Sequence, residues 1–392
     1  MNDVTLPRGF SGSGVACGLK ASGKPDVGII SSERVATAAG VFTTNRYMAP
    51  PATYTKRLLR KGRARAVVVN AGNANACTGK PGLADAKRMG AHAAQQLGVS
   101  RDEVLVCSTG VIGQPLDMGK VSTGIEAAAA ELAPGAGGGF ARAIMTTDTK
   151  QKIAEAAVAG ARIVGIGKGA GMIAPEMATM LVFLMTDAAV ERGVLAEALR
   201  DSMRSTFGSI SIDGCMSTND TVLALANGAA GGDPIAGDDP RAPAFAEAVR
   251  SVCASLAEEM VDDGEGATKV VTITVDGAAK EKEARQAARA IADSILFRCA
   301  VAGEDPYWGR VLAALGTVPF SFDPHVVDVF IGGEHLARAG GPGPGDVATA
   351  RAAMRDRRID VRVNLHRGSA SAHVLTNDLS VEFVRFNTEY TT

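Results

Sequence analysis

Short, unbroken apolar runs alternate along this chain with longer stretches in which apolar residues return every three or four positions. Ala66–Asn70 (Ala-Val-Val-Val-Asn) is such a run, the pattern of a strand covered on both faces. Val104–Cys107, Ala161–Val164 and Val270–Val275 read the same way, with Val27–Ile30 and Ala36–Thr44 as two shorter extended segments. Between them Leu83–Leu97 and Val121–Leu132 carry a helical rhythm. Phe245, Val249, Val252, Leu256 and Met260 fall at i, i+4, i+7, as on a helix lying over a sheet. Further helices are expected at 192–204, at 284–296 and from 303–310 onward. Strands are expected at 209–213, 360–363 and 380–386, and a flexible joint at 134–139. Helices and strands interleave in both halves, which predicts sheets covered by helices.

One apolar run sits in unusual company. From Gly165 to Asp187 a glycine-rich arm leads to Pro175, and an apolar, strand-like run starts at Met177. Thr179 is the hydroxyl near the start of that run. It reads either as a strand threonine bonded to a neighbour or as a nucleophile freed by cutting the Ala178–Thr179 bond. In the second case its own α-amino group becomes the base for its hydroxyl. Spacing alone leaves both readings open. Gly165-x-Gly167-x-x-Ala170 matches a relaxed dinucleotide fingerprint, but Pro175 and a strand follow where a helix is required. Lys168 is no phosphate-loop lysine either, since Arg162 stands where that loop needs glycine.

Four polar clusters break the apolar pattern: 71–79, 108–113, 146–149 and 216–221. Each reads as turn chemistry or as the wall of a site. In Ser108-Thr109-Gly110 a hydroxyl and backbone N–H groups follow a strand directly, an arrangement that suits an oxyanion.

Composition narrows the partners more than the fold. At 392 residues the chain exceeds the usual single core, so two units or one large layered domain are expected. Lys plus Arg (41) nearly equals Asp plus Glu (42), which argues against nucleic-acid or polybasic membrane surfaces. Six scattered cysteines without CxxC, and five histidines without HExxH, predict no metal site and no disulfide framework. The first ten residues lack a leader pattern and no apolar run would span a bilayer, so a soluble cytoplasmic protein is expected.

The chain resembles the ornithine acetyltransferase (glutamate N-acetyltransferase) family of the arginine pathway, nearly end to end. The resemblance rests on Gly40-Val-Phe-Thr-Thr-Asn-Arg46, Val69-Asn-Ala-Gly-Asn-Ala-Asn-Ala-Cys-Thr-Gly79 and Ser108-Thr-Gly-Val-Ile-Gly113. Thr146-Thr-Asp-Thr149, Lys168-Gly169, Met177-Ala-Thr-Met-Leu181, Ser217-Thr-Asn-Asp-Thr221 and Asn387…Thr392 add to it. It implies an α/β (α+β) fold, a layered αββα sandwich of the ornithine acetyltransferase and DmpA type, like N-terminal nucleophile hydrolases but differently connected. It also implies self-cleavage between Ala178 and Thr179 into an α chain (1–178) and a β chain (179–392). Carried over residue by residue, Thr179 is the nucleophile and Thr109 and Gly110 form the oxyanion hole. Thr146, Lys168, Thr179, Glu265, Asn387 and Thr392 bind substrate. The implied reaction moves acetyl from N2-acetyl-L-ornithine to L-glutamate by a ping-pong route through acetyl-Thr179. No cofactor or metal is implied, acetyl-CoA stays open as a second donor, and αβ pairs are expected to assemble as α2β2.

Departures from the family pattern bear on specificity. Ala174-Pro175-Glu176-Met177 stands where His-Pro-Asn-Met is expected, Tyr307 replaces an asparagine before Trp-Gly-Arg, and Cys215-Met216 replaces a more polar pair. These leave room for a different amino-acid acceptor, as in a secondary-metabolism paralogue. Rival readings are an amidase or aminopeptidase that uses the same threonine with water as acceptor, and a binding protein on an inactive scaffold.

Overall fold

The computed structural model describes residues 4–173 and 180–389. Along the first part of the chain run β1 (Phe10–Val15), β2 (Val27–Phe42), β3 (Arg63–Asn73), β4 (Val104–Val111) and β5 (Ala133–Pro134). They are followed by β6 (Lys152–Val158), β7 (Ala161–Lys168), β8 (Leu181–Thr186), β9 (Ile210–Ser211) and β10 (Thr221–Ala226). All but β9 form one mixed sheet in the order β4-β3-β2-β10-β8-β7-β6, with β1 on β2 and β5 on β1. The two extended segments expected at 27–30 and 36–44 are therefore one long strand. It reads as two because its register with β3 shifts between Ser31 and Ala36, where polar residues interrupt the apolar pattern.

β2 joins two half-sheets. Val27–Ser31 pairs with β3, whereas Thr37–Phe42 pairs with β10. The halves curl round a common core on one face, where Ile29, Val67 and Val106 meet Phe183, Leu223 and Leu225. Helices α1 (Pro50–Leu58), α2 (Gly79–Leu97), α3 (Met118–Ala130) and α4 (Gly138–Ile144) cover this face. Phe140 of α4 sits at its centre, edge-on to Phe183 at 5.1 Å between ring centroids. The joint expected at 134–139 is instead packed structure. Gly14 and Gly139 touch so closely that a Cβ on Gly14 would lie 2.0 Å from the Gly139 carbonyl oxygen. Gly137 and Gly139 thus serve close approach rather than flexibility.

The opposite face carries α5 (Arg192–Ser205) and α6 (Ala242–Asp262). The five apolar residues expected on one face of the helix through 245–260 are all buried there. The glycine-rich arm expected from Gly165 is strand as far as Lys168. Gly165 and Gly167 lie beneath α6, where added Cβ atoms would fall 2.6 Å from Val252 Cγ1 and 2.9 Å from Met260 Cε. Missing side chains let the helix settle on the strand, which explains a fingerprint-like spacing with no nucleotide chemistry.

The second sheet adds β11 (Val270–Ala278), β12 (Asp328–Ile331), β13 (Glu334–Arg338), β14 (Gly341–Pro342), β15 (Arg358–Asn364) and β16 (Ala370–Asn377). Its order is β14-β13-β12-β15-β11-β16-β9. β15 alternates cleanly, with Ile359, Val361 and Val363 buried and Arg358, Asp360 and Arg362 exposed. The buried face packs on α7 (Glu281–Ala292), α8 (Ile295–Ala302) and α9 (Trp308–Leu315). Ser294 separates α7 from α8 by capping the Phe297 N–H, so the helix expected at 284–296 is two. α10 (Val347–Ala353) follows, and α11 (Val381–Glu389) occupies the segment expected as a closing strand. There the Ser380 hydroxyl accepts from Phe383 N–H at 3.1 Å and Arg385 reaches both Glu382 and Glu389. Capping and i, i+3/i+4 pairs outweigh the β-branched Val381 and Val384. The expected α/β sandwich holds, with two mixed sheets and helices. No helix among the described residues is long and apolar enough to cross a membrane.

Because Phe140 ties both half-sheets to α4, Phe140→Ala is expected to destabilise the chain by about 3–5 kcal/mol. Urea unfolding followed by circular dichroism measures it.

Candidate active site

β4 does not stop at Cys107. It continues through Thr109 and Gly110 to Val111, in parallel register with β3. Gly110 and its ladder partner Gly72 have φ of 125° and 99°. A Cβ on Gly110 would fall 2.3 Å from the Gly72 carbonyl carbon. Only glycine fits this crossing of two backbones, and it leaves the Thr109 hydroxyl and the Gly110 backbone at the wall of a pocket.

Lys168 ends β7 and enters the same pocket. It is 2% exposed, and its Nζ donates to Thr109 Oγ1 at 3.3 Å. Thr146 follows α4, its N–H held by Asp148 Oδ2 at 3.0 Å. Glu265 follows α6, and its N–H donates to the Ala170 carbonyl at 2.8 Å. Its carboxylate accepts from Asn387 Nδ2 at 3.1 Å. Thr109, Gly110, Thr146, Lys168, Glu265 and Asn387 thus line one pocket, although they come from five separate stretches of chain. Ala178, Thr179 and Thr392 lie outside the described residues, as does the 174–177 departure. The described chain resumes at Met180, whose N–H donates to Asp220 Oδ1 at 3.1 Å and whose carbonyl accepts from Thr221 N–H at 3.1 Å.

Ile112, Thr147, Ser217 and Asn219 line the pocket too, as members of clusters read as turn or site wall, whereas Gly171 and Met172 were given no role by the sequence. Gly171 is telling. A Cβ there would lie 2.5 Å from the Glu265 carboxyl carbon, so its absence makes room for that carboxylate. Asn219 joins the wall by donating to the Ser108 carbonyl at 2.8 Å. The cluster at 71–79, by contrast, turns its asparagines to nearby backbone rather than into the pocket. Asn75 Nδ2 donates to the Gly82 carbonyl, and Asn75 Oδ1 accepts from Thr78 Oγ1. Tyr307 is exposed and is not among the lining residues.

Beneath the pocket lies a buried charge network that the sequence did not announce. Lys152 of β6, fully buried, donates to Asp148 Oδ1 at 2.7 Å and to Asp263 Oδ2 at 2.5 Å. Asp148 Oδ1 also accepts the Gly169 N–H at 2.7 Å, and Asp263 binds the Thr149 hydroxyl. Burial works to raise the Asp148 pKa, but Lys168, Lys152 and its hydrogen bonds outweigh that and hold it at about 2. Burial lowers the pKa of Lys168, and the attraction of Asp148 opposes this. Asp220 goes the other way. Burial pushes its carboxyl up to about 8, against the Met180 N–H, Ser217 and Lys168.

The pocket therefore offers a buried cation, a carboxylate with an amide beside it, and clustered hydroxyls. A cation suits a carboxylate and an acid suits an ammonium, so the geometry fits an amino acid with both ends held.

The model of the ArgJ family matches residues 11–392. The chain belongs to that family. The bifunctional arginine-biosynthesis protein ArgJ of Symbiobacterium thermophilum is 46% identical over 395 residues, covering 99% of this chain and 98% of that relative. The ArgJ of Thermus thermophilus is 46% identical over 390 residues, covering 99% and 100%. A crystal structure of the bifunctional ArgJ of Bacillus halodurans is similar with a TM-score of 0.51 and 33% identity. It covers 53% of this chain and 98% of the solved one.

Lys152→Met strands Asp148 and Asp263 without their shared cation, and a loss of about 3–5 kcal/mol is expected near neutral pH. Losing that cation lets the Asp148 pKa rise from about 2, so the deficit should shrink as acid protonates the carboxyl. Denaturant melts of both chains at pH 7 and pH 4 measure the difference.

Proposed function

We propose that this ArgJ-family chain cuts itself before Thr179 and then carries acetyl from N2-acetyl-L-ornithine to L-glutamate on the freed threonine. It is an enzyme of arginine biosynthesis, in keeping with relatives that match it end to end. The observation that carries the reading is the shared pocket of Thr109, Gly110, Thr146, Lys168, Glu265 and Asn387. Met180, the residue after Thr179, is tied to the same corner through Asp220.

In the precursor, the Thr179 hydroxyl attacks the Ala178 carbonyl carbon and the peptide nitrogen leaves as the Thr179 amine. Water then hydrolyses the resulting ester. The freed amine has an ordinary pKa of about 8 and serves as general base. It takes the hydroxyl proton as Oγ attacks the acetyl carbonyl, and returns a proton to the departing ornithine nitrogen. Glutamate then enters the same pocket, and its neutral amine attacks the acetyl ester; the Oγ–acetyl bond breaks, and the proton lost by the amine returns to Thr179 Oγ. The Thr109 hydroxyl and Gly110 N–H hold the oxyanion in each step, where one donor is worth about 10²–10³ in rate. Lys168 holds the α-carboxylate of either substrate, and Glu265 with Asn387 takes the side-chain ammonium of N2-acetyl-L-ornithine, with Thr146 and Thr392 completing the grip.

The α-carboxylate common to donor and acceptor explains how one pocket serves both half-reactions. The solved Bacillus halodurans chain supports the processing step, since nearly all of it aligns with a little over half of this chain. A fragment running from 179 to 392 would have that proportion. The reading needs no cofactor, admits acetyl-CoA as a second donor, and puts paired αβ units, assembled as α2β2, in the cytoplasm.

Intact-mass measurement before and after incubation with N2-acetyl-L-ornithine tests it. Two fragments are expected, the second starting at Thr179 and gaining one acetyl group, while Thr179→Ala stays full length and inactive. A processed, active Thr179→Ala chain would refute the nucleophile. Gly171→Ala should push the Glu265 carboxylate aside and raise KM for N2-acetyl-L-ornithine about tenfold, the order of one charge-assisted hydrogen bond, with the melting temperature unchanged. Steady-state kinetics and calorimetry check both halves of that statement.

A further inference from the structure

After Lys168 the pocket wall is a short arm of backbone that includes Gly171 and Met172, and two carboxyl groups pin its ends. At the near end Asp148 accepts the Gly169 N–H at 2.7 Å. At the far end Asp213, in the link after β9, takes three amides at once. Its Oδ2 accepts from Met172 N–H, and its Oδ1 accepts from Ile173 N–H at 3.0 Å and from Cys215 N–H at 2.9 Å. The Ile173 carbonyl in turn accepts from Ile212 N–H at 2.7 Å. Met172 has a φ of 54°, a left-handed conformation uncommon outside glycine. The grip on its own amide and the next one holds it there.

Between the pins the arm meets Glu265. The Ala170 carbonyl accepts from Glu265 N–H at 2.8 Å, and a Cβ on Gly171 would lie 2.5 Å from the Glu265 carboxyl carbon. Gly171 is thus the backstop of that carboxylate, and its place depends on where Met172 is held. We propose that Asp213 is a positioning residue for the substrate: it keeps the arm against Glu265 and so sets the grip on the side-chain ammonium of N2-acetyl-L-ornithine. The proposal rests on the role given to Glu265 above.

Acid acts differently on the two pins. Asp148 is held at about 2 and stays charged. Burial pushes Asp213 up to about 6, opposed by the Cys215 and Met172 amides and the Arg298 guanidinium of α8, and helped by the charge of Glu265. Asp293, between α7 and α8, and the Cys215 thiol also face this corner. A charged carboxylate accepts from all three amides, whereas a protonated one presents an O–H to one of them. The far pin therefore loosens as pH falls through about 6, while the near pin holds.

The test is Asp213→Asn, since asparagine has the shape of the protonated carboxyl and cannot accept on both sides. At pH 8 its KM for N2-acetyl-L-ornithine is expected about tenfold above that of the unmutated protein, the order of one charge-assisted hydrogen bond, with kcat within about threefold. KM for glutamate, which has no side-chain ammonium, stays within about twofold. Calorimetric Kd values for L-ornithine, which need no turnover, differ about tenfold at pH 8 and converge within about twofold at pH 5. Equal KM values at pH 8 overturn the proposal, as does a rise shared by glutamate or an affinity ratio indifferent to pH. Should Asp213→Asn fail to fold, the unmutated protein decides alone. Its Kd for L-ornithine must weaken with a midpoint near about 6, and a flat titration overturns the proposal. An unmutated protein that neither turns over N2-acetyl-L-ornithine nor binds L-ornithine sinks the functional reading and this proposal together. One that does both, beside an indifferent Asp213→Asn, sinks this proposal alone.

Discussion

The carboxylate of Asp148 is the constraint on which the pocket depends. It is buried, negative, and shared among the Lys152 ammonium, the Gly169 N–H and the Thr146 N–H. Each of these partners fixes a different stretch of chain. Lys152 belongs to β6, Gly169 continues from Lys168, and Thr146 belongs to the link after α4. Burying this charge is tolerable because two lysines and two amides surround it. Lys168 is brought to Thr109 as one result of that arrangement, and Asp263 completes the neutralisation of Lys152.

Above this network, close approach of backbone does much of the shaping. Gly72 and Gly110 meet where β3 and β4 end, Gly165 and Gly167 lie under α6, and Gly171 makes way for Glu265. In each case a missing Cβ lets another group lie closer than a side chain would allow. β2 spans both half-sheets, and Phe140 with Phe183 fixes how far the sheet curls. That curl accounts for a contact between β4 and β7, which four strands separate in the sheet.

Much of this was legible in the residues. Apolar runs located β3, β4, β7 and β11, and the helical rhythm of 245–260 located α6, because a strand or helix packed on a sheet must show its period. The site was legible through resemblance more than through pattern. Thr109, Gly110, Thr146, Lys168, Glu265 and Asn387, which the resemblance names, line one pocket, yet taken alone Glu265 reads as a helix-end acid and Lys168 as a loop lysine. Lys152 escaped notice because a lysine in an alternating strand reads as solvated. Its partners Asp148 and Asp263 lie 4 and 111 residues away, and only the fold brings them together. The segment at 380–386 was misread since Val381 and Val384 favour strand, while the deciding cap from Ser380 is a local hydrogen bond that periodicity does not reveal.

The strand order holds one more consequence. β8 and β10, from the later part of the chain, sit side by side between β2 and β7, both from the earlier part. A break between residues 178 and 179 would therefore leave two polypeptides woven into a single hydrogen-bonded ribbon, each supplying neighbours to the other's strands. Such pieces are not modules that dock. They have to fold as one molecule before the cut, and afterwards neither can leave without unzipping the middle of the sheet.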